Sequence, residues 1–192
     1  GNGSYGLKPV ITMLPRTLTA ISGHVLTGLT GVTVTAQKDG VVLKGTQPAL
    51  DGRFVLGPLD PAKGPYDVVF TGTNMTTSVI AAVPVAAEQT TMLNSSADPV
   101  TMPTSPSGTL SGNVGPAGTR ETGSVRAMQA VGTVPAIEVA AMNVDSSNGN
   151  YSLTANTGPH QPQTVVCVPN VPTLTISPAT RNVIPSDVVQ YT

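Results

Sequence analysis

The side chains that could do chemistry in this chain are few: two histidines, His24 and His160, one cysteine, Cys167, and single acids such as Asp39, Asp51, Asp60 and Asp67. Imidazole and thiolate groups are the usual transition-metal ligands, and a histidine beside a serine or cysteine is the usual base of nucleophilic catalysis. The histidines lie in opposite halves of the chain, and no Gly-x-Ser-x-Gly elbow accompanies its many serines. Strand alternation sets His24 opposite Ile21, Gly23 and Val25, so it is expected in solvent, while His160 falls in the loop Gly158-Pro159-His160-Gln161-Pro162. Asp145-Ser146-Ser147-Asn148-Gly149-Asn150 lacks the alternating carboxylates and terminal bidentate acid of a calcium loop and reads as a turn. The other acids read as solvated turn residues. No catalytic, cofactor-binding or metal-ligating residue is therefore assigned.

The elements that would have to position such residues are duplicated. Asp51-Gly52-Arg53-Phe54-Val55-Leu56 returns as Asn148-Gly149-Asn150-Tyr151-Ser152-Leu153. Each run follows a Ser-Gly-x-Val strand, Ser22-Gly23-His24-Val25 and Ser111-Gly112-Asn113-Val114. Asp-Gly and Asn-Gly supply residues that tolerate positive φ and so reverse a strand tightly. Phe54 and Tyr151, two positions after the glycines, are expected to plug the core. The copies are offset by 89 residues at the first strand and by 97 at the Asp-Gly run, so eight extra residues lie between. They fall either in the Gly115–Thr122 turn or around Ala130–Ala136. Carrying the offset of 97 onward sets Pro162 against Pro65, Val165 against Val68 and Cys167 against Phe70, which makes Cys167 a buried, unreactive thiol.

Composition points to the same class. Val and Thr exceed a quarter of the chain, whereas 18 prolines and 20 glycines interrupt any long helix. The fold class expected is all-β, two tandem sandwiches of about seven strands each. A lead-in spans 1–16 and either adds an edge strand or covers the first domain. The first domain spans 17–101, a Pro-rich linker 102–106, and the second domain 107–192. Ile21, Val25, Val32, Val34, Phe54, Leu56, Tyr66, Val68 and Phe70 alternate as an inward set. A net charge of −1 with 10% charged residues excludes a basic nucleic-acid surface, and no apolar run is long enough for a membrane span.

The order Ser-Gly-x-Val, Val32-Thr33-Val34, Asp51-Gly52-Arg53-Phe54-Val55-Leu56-Gly57-Pro58-Leu59 and Tyr66-Asp67-Val68-Val69-Phe70 resembles the carboxypeptidase regulatory-like domain family. The resemblance covers the first copy well and the second weakly, where Gln163 stands in place of Tyr66. It implies a prealbumin-like, Greek-key β-sandwich that serves as a non-catalytic attachment on an exported bacterial protein. Partners would then be other protein domains or cell-envelope components, in the periplasm, at the outer membrane or on the cell surface. Some related surface domains carry an internal Lys–Asn or Lys–Asp amide bond, for which the first copy has Lys8, Lys38, Lys44, Lys63, Asn94 and a helper acid in Glu88. The alternative reading is a carbohydrate-binding module, with a hydrolase third. Glycan binding is disfavoured because the chain lacks Trp, and Phe54, Tyr66, Phe70 and Tyr151 are assigned to cores, leaving Tyr5 and Tyr191 for a sugar platform.

Overall fold

The computed structural model describes residues 18–115, 124–145, 147–156, 165–167, 175–177 and 188–191, the last three segments as backbone strands. The fold is all β and forms two sandwiches. The first contains β1 (Ala20–His24), β2 (Thr33–Lys38), β3 (Val41–Thr46), β4 (Arg53–Leu56), β5 (Tyr66–Thr71), β6 (Ser78–Val83) and β7 (Thr90–Met92). They form a three-stranded sheet, β4-β1-β7, facing a four-stranded sheet, β3-β2-β5-β6. The second contains β8 (Ser107–Gly115), β9 (Ser124–Val131), β10 (Val134–Asn143), β11 (Asn150–Asn156), β12 (Val165–Cys167), β13 (Thr175–Ser177) and β14 (Val188–Tyr191). Its sheets are β11-β8-β13 and β10-β9-β14-β12.

The inward alternation builds the first core as expected. Ile21, Val25, Val32, Val34, Phe54, Leu56, Tyr66, Val68 and Phe70 are all buried in one cluster. Phe54 and Phe70 meet edge to face, with centroids 5.5 Å apart. Burial also raises the ionisation of the Tyr66 phenol above its ordinary value, while its Oη donates to the Asp60 carbonyl at 2.6 Å. The shared motif proves to be a single contact. Gly23 lies directly opposite Phe54, and a methyl group at Gly23 would meet Asn94 Oδ1 at 2.5 Å and the Phe54 ring at 2.9 Å. Gly112 lies opposite Tyr151 in the same register. The glycine of Ser-Gly-x-Val therefore makes room for the aromatic of the turn motif across the strand pair.

The register also divides the eight extra residues. Both β2-β3 and β9-β10 close through two-residue loops, with Lys38 paired to Val41 and Val131 to Val134. Across these hairpins the copies are offset by 93, so four residues are added before β9 and four after. The later four lengthen β10, which has 10 residues where β3 has 6. The offset of 93 still holds at Ile137 and Glu138, so these later four fall after the expected Ala130–Ala136 stretch rather than within it.

The offset does not carry on to Cys167 in the way expected. Beside β9, where β5 would lie in the first copy, the second sandwich has β14, and β12 pairs in parallel with β14 one place further out. β12 and β14 run in the same direction and are both apolar, so alternation alone does not select which of them borders β9. The side chains of Cys167 and Tyr191, and all of His160, Tyr5 and Lys8, lie outside the described residues.

The proline-rich segment packs on the first sandwich. Met102 is buried in that core, Thr76 donates to the Pro103 carbonyl at 2.7 Å, and Ser105 donates to that of Asn74 at 3.0 Å. No helix among the described residues is long and apolar enough to cross a membrane.

Candidate functional site

The expected exposed residues mostly build turns. Asp51 accepts the Arg53 N–H, Asp60 accepts that of Ala62, and Asp67 accepts that of Ala82, which sits at φ 54°. Asp39 forms the β2-β3 turn at φ 51°. Asp145 accepts the N–H and hydroxyl of Ser147 at 2.9 and 2.6 Å and the Asn148 amide at 2.8 Å. These bonds, those from Ser147 foremost, hold its carboxyl below the ordinary aspartate range. Among the described residues, no group of three His, Cys, Asp or Glu side chains could hold a metal ion.

His24 corrects the expectation of a solvent position. It is half-buried, and its Nδ1 lies buried without a hydrogen-bond partner, so no acid orients the ring through that atom. The cause is Asn94, which accepts the His24 N–H at 2.7 Å and donates to the carbonyls of His24 and Asp98 at 2.9 and 3.0 Å. This clamp draws the segment after β7 over the end of β1. It also commits the Asn94 amide to backbone groups rather than to a lysine. Asn94→Ala should destabilise the first sandwich by about 1–3 kcal/mol, since the His24 N–H loses its partner while the His24 carbonyl keeps only the Val100 N–H. Chemical denaturation checks this, and an unchanged midpoint would refute it.

His24 also pairs across strands with Arg53, and its counterpart Asn113 pairs with Asn150. Two of the outward differences between the copies are thus one pair exchanged together. In the second copy the pair is self-satisfying, Asn113 Nδ2 donating to Asn150 Oδ1 at 2.9 Å.

The most elaborated polar constellation joins the two sandwiches. Gln37 projects from the outward face of β2 yet is fully buried. Its Nε2 donates to the Glu138 carbonyl at 2.8 Å, and its Oε1 accepts the Glu138 N–H at 2.8 Å. The carboxamide thus pairs with both backbone groups of one residue of β10, as a residue of a neighbouring strand would. β10 is an edge strand, and its ladder with β9 is irregular on both sides of Ile137–Glu138. That irregularity turns the Glu138 peptide outward toward Gln37. The Glu138 carboxylate pairs with Arg126, whose guanidinium also donates to the Gly40 carbonyl in the β2-β3 turn.

An apolar cluster completes the junction. Val69, outward on β5, and Ile137 on β10 are fully buried together with Val134, and Val79, Val131 and Val139 pack on them. Burying Val69 and Ile137 contributes about 2 kcal/mol each. Beside this cluster lies an uncharged cleft of about 150 Å³, lined by Thr33, Thr71 and Thr73 from one sandwich and Ser107, Val139 and Thr154 from the other. A second depression of about 250 Å³ lies at the loop end under the fully exposed Leu50. Sequence reasoning missed Gln37, Val69, Arg126 and Glu138. The available signal was Val68-Val69, adjacent apolar residues that break alternation and mark a strand covered on both faces.

No family model matches the chain, and no curated protein matches it. Among solved structures it is similar to a chain in two crystal structures of a type II cohesin–X-dockerin complex from Acetivibrio cellulolyticus, one a C-terminal and the other an N-terminal interface mutant. Each match has 26% identity and a TM-score of 0.37, covering 45% of this chain and 58% of that one. The similarity thus spans little more than half the length of the matched chains.

Proposed function

We propose that this chain is a non-catalytic structural or protein-interaction module of an exported bacterial protein, in which the two sandwiches act as one rigid spacer. The observation that carries the reading is the Gln37–Glu138 pairing over the Val69–Ile137 cluster. Two domains that served only as beads on a string would have no use for a fully buried carboxamide clamped on the neighbour's peptide. The low charge and the Val- and Thr-rich strands support placement outside the cytosol, in the periplasm, at the outer membrane or on the surface. Kinship with the carboxypeptidase regulatory-like family belongs to the same proposal and is supported by the Gly23–Phe54 contact, which recurs as Gly112 opposite Tyr151.

Backbone NMR relaxation on the intact chain tests the spacer. Both sandwiches should report one rotational correlation time, that of a body of 19.4 kDa. Two shorter and unequal times would sink the reading. Binding on a glycan array would favour a carbohydrate-binding module instead, and turnover of generic ester or peptide substrates a hydrolase. The buried positions of Phe54, Tyr66, Phe70 and Tyr151 leave none of these four rings free to stack on a sugar.

A further inference from the structure

Asn148-Gly149 is the one Asn-Gly pair among the described residues, and asparagine before glycine is the dipeptide most prone to rearrange spontaneously in water. The Gly149 nitrogen, on losing its proton to base, attacks the Asn148 Cγ. An N–Cγ bond forms, the Cγ–Nδ2 bond breaks, and ammonia leaves with a proton taken from water. Water then opens the five-membered imide at either carbonyl, giving aspartate or isoaspartate. The reaction needs a free Gly149 N–H, a carboxamide able to turn its carbon onto that nitrogen, and base at the site.

The folded turn withholds all three. The Gly149 N–H donates to the Asp145 carbonyl at 2.6 Å, and Gly149 is buried although Asn148 and Asn150 beside it are exposed. The Asn148 carboxamide is held at both ends, Oδ1 accepting the Asn150 N–H at 2.8 Å and Nδ2 donating to Asp145 Oδ2 at 2.8 Å. The Asn148 backbone carbonyl accepts from Asn113 Nδ2 at 2.6 Å, which ties the same residue to β8. Asp145 is the common partner. It accepts the nucleophile's N–H through its backbone and the leaving nitrogen's through its side chain. Its carboxylate, fixed also by the N–H and hydroxyl of Ser147, repels the amide anion that must form at Gly149. Being ionised, it has no proton to give to departing ammonia.

The two copies differ here in a way that fits. The first turns on Asp51-Gly52, where Asp51 Oδ1 accepts the Arg53 N–H as Asn148 Oδ1 accepts that of Asn150. A carboxylate has no ammonia to release, and the preceding Gln47-Pro48-Ala49-Leu50 holds no acid. The acid stands only where asparagine does. The comparison also ranks the products. Aspartate at 148 would fit the turn as Asp51 does, whereas isoaspartate routes the backbone through the side chain. The added carbon between β10 and β11 would disturb the register that pairs Asn113 with Asn150.

We infer that Asn148 is a latent deamidation site, closed in the folded protein by Asp145 and opened when the β10-β11 turn opens. The inference does not depend on the spacer reading, since the turn lies within one sandwich.

Peptide mapping by mass spectrometry after long incubation in mildly alkaline buffer tests it, with an isoaspartyl methyltransferase to tell isoaspartate from aspartate. In the wild-type protein the peptide holding Asn148 should stay unmodified. The same chain held unfolded in urea should gain one mass unit there, mostly as isoaspartate. Asp145→Ala, shown to be folded by its denaturation midpoint, should deamidate at Asn148 about tenfold faster than wild type, the effect of losing one or two hydrogen bonds that oppose the reaction. Asp145→Asn keeps the shape and an accepting oxygen but not the charge. It should fall between the two, and it serves in place of the alanine variant if that one does not fold. Native Asn148 reacting as fast as in urea, or a folded Asp145 variant as slow as wild type, would overturn the inference.

Discussion

Gln37→Ala is expected to cost about 2–5 kcal/mol and to let the two sandwiches move independently. The side chain supplies both partners of the Glu138 peptide, at 2.8 Å each. Deleting it strands a buried N–H and a buried carbonyl, each worth about 1–3 kcal/mol when unpaired. Gln37→Glu separates hydrogen bonding from packing, because it keeps the volume but places a second oxygen against the Glu138 carbonyl. It should be at least as damaging as the alanine variant. Denaturation midpoints measure the loss, and separate rotational correlation times for the two halves show the uncoupling. If both variants kept the wild-type midpoint and a single correlation time, the clamp would be an ornament of the fold and the apolar cluster alone would hold the junction.

Gly52→Ala should be comparably severe, at about 2–5 kcal/mol, and should act on the first sandwich rather than on the junction. Gly52 sits at φ 83°, where an L side chain is strained by about 1–2 kcal/mol. A methyl there would also lie 2.2 Å from the Val25 carbonyl oxygen, so the turn or the end of β1 must shift. That shift would break the bond from the Val25 N–H to the Gly52 carbonyl, now 2.9 Å. Gly28 is the control. It too has a positive φ, 87°, but a methyl there meets nothing within 4 Å, so Gly28→Ala should lose only the conformational part. Equal losses in the two variants would show that backbone strain, not the approach to Val25, governs the turn.

The repeat, the turns and the inward positions were legible in the sequence because each follows from local rules. Alternation needs only a strand and a core, and Asp-Gly or Asn-Gly needs only a reversal. Those rules placed Phe54, Phe70, Tyr66 and Tyr151 in cores, where they lie. The same rules failed wherever a second layer covered an outward face. His24 was read as solvent-exposed, but Asn94, 70 positions later, closes over its strand end. Gln37 and Val69 face away from their own core and are buried by residues of the second sandwich, Gln37 by Glu138, 101 positions later, and Val69 by Val134 and Ile137. In the second copy, strands of one direction and similar composition, β12 and β14, could not be ordered by pattern, and the pairing with β9 chose between them.

The chain by itself therefore determined two β-sandwiches, the pairing of glycine with aromatic that each repeats, and the scarcity of groups able to catalyse. Periodicity and turn chemistry act within a few residues and survive without knowledge of the neighbours. Only the tertiary structure decided what the outward faces do. The burial of an outward residue depends on which distant element lies against it, and the Glu138 peptide, turned out of its ladder by an irregular edge, acquires a partner in Gln37 only when the two sandwiches are brought together.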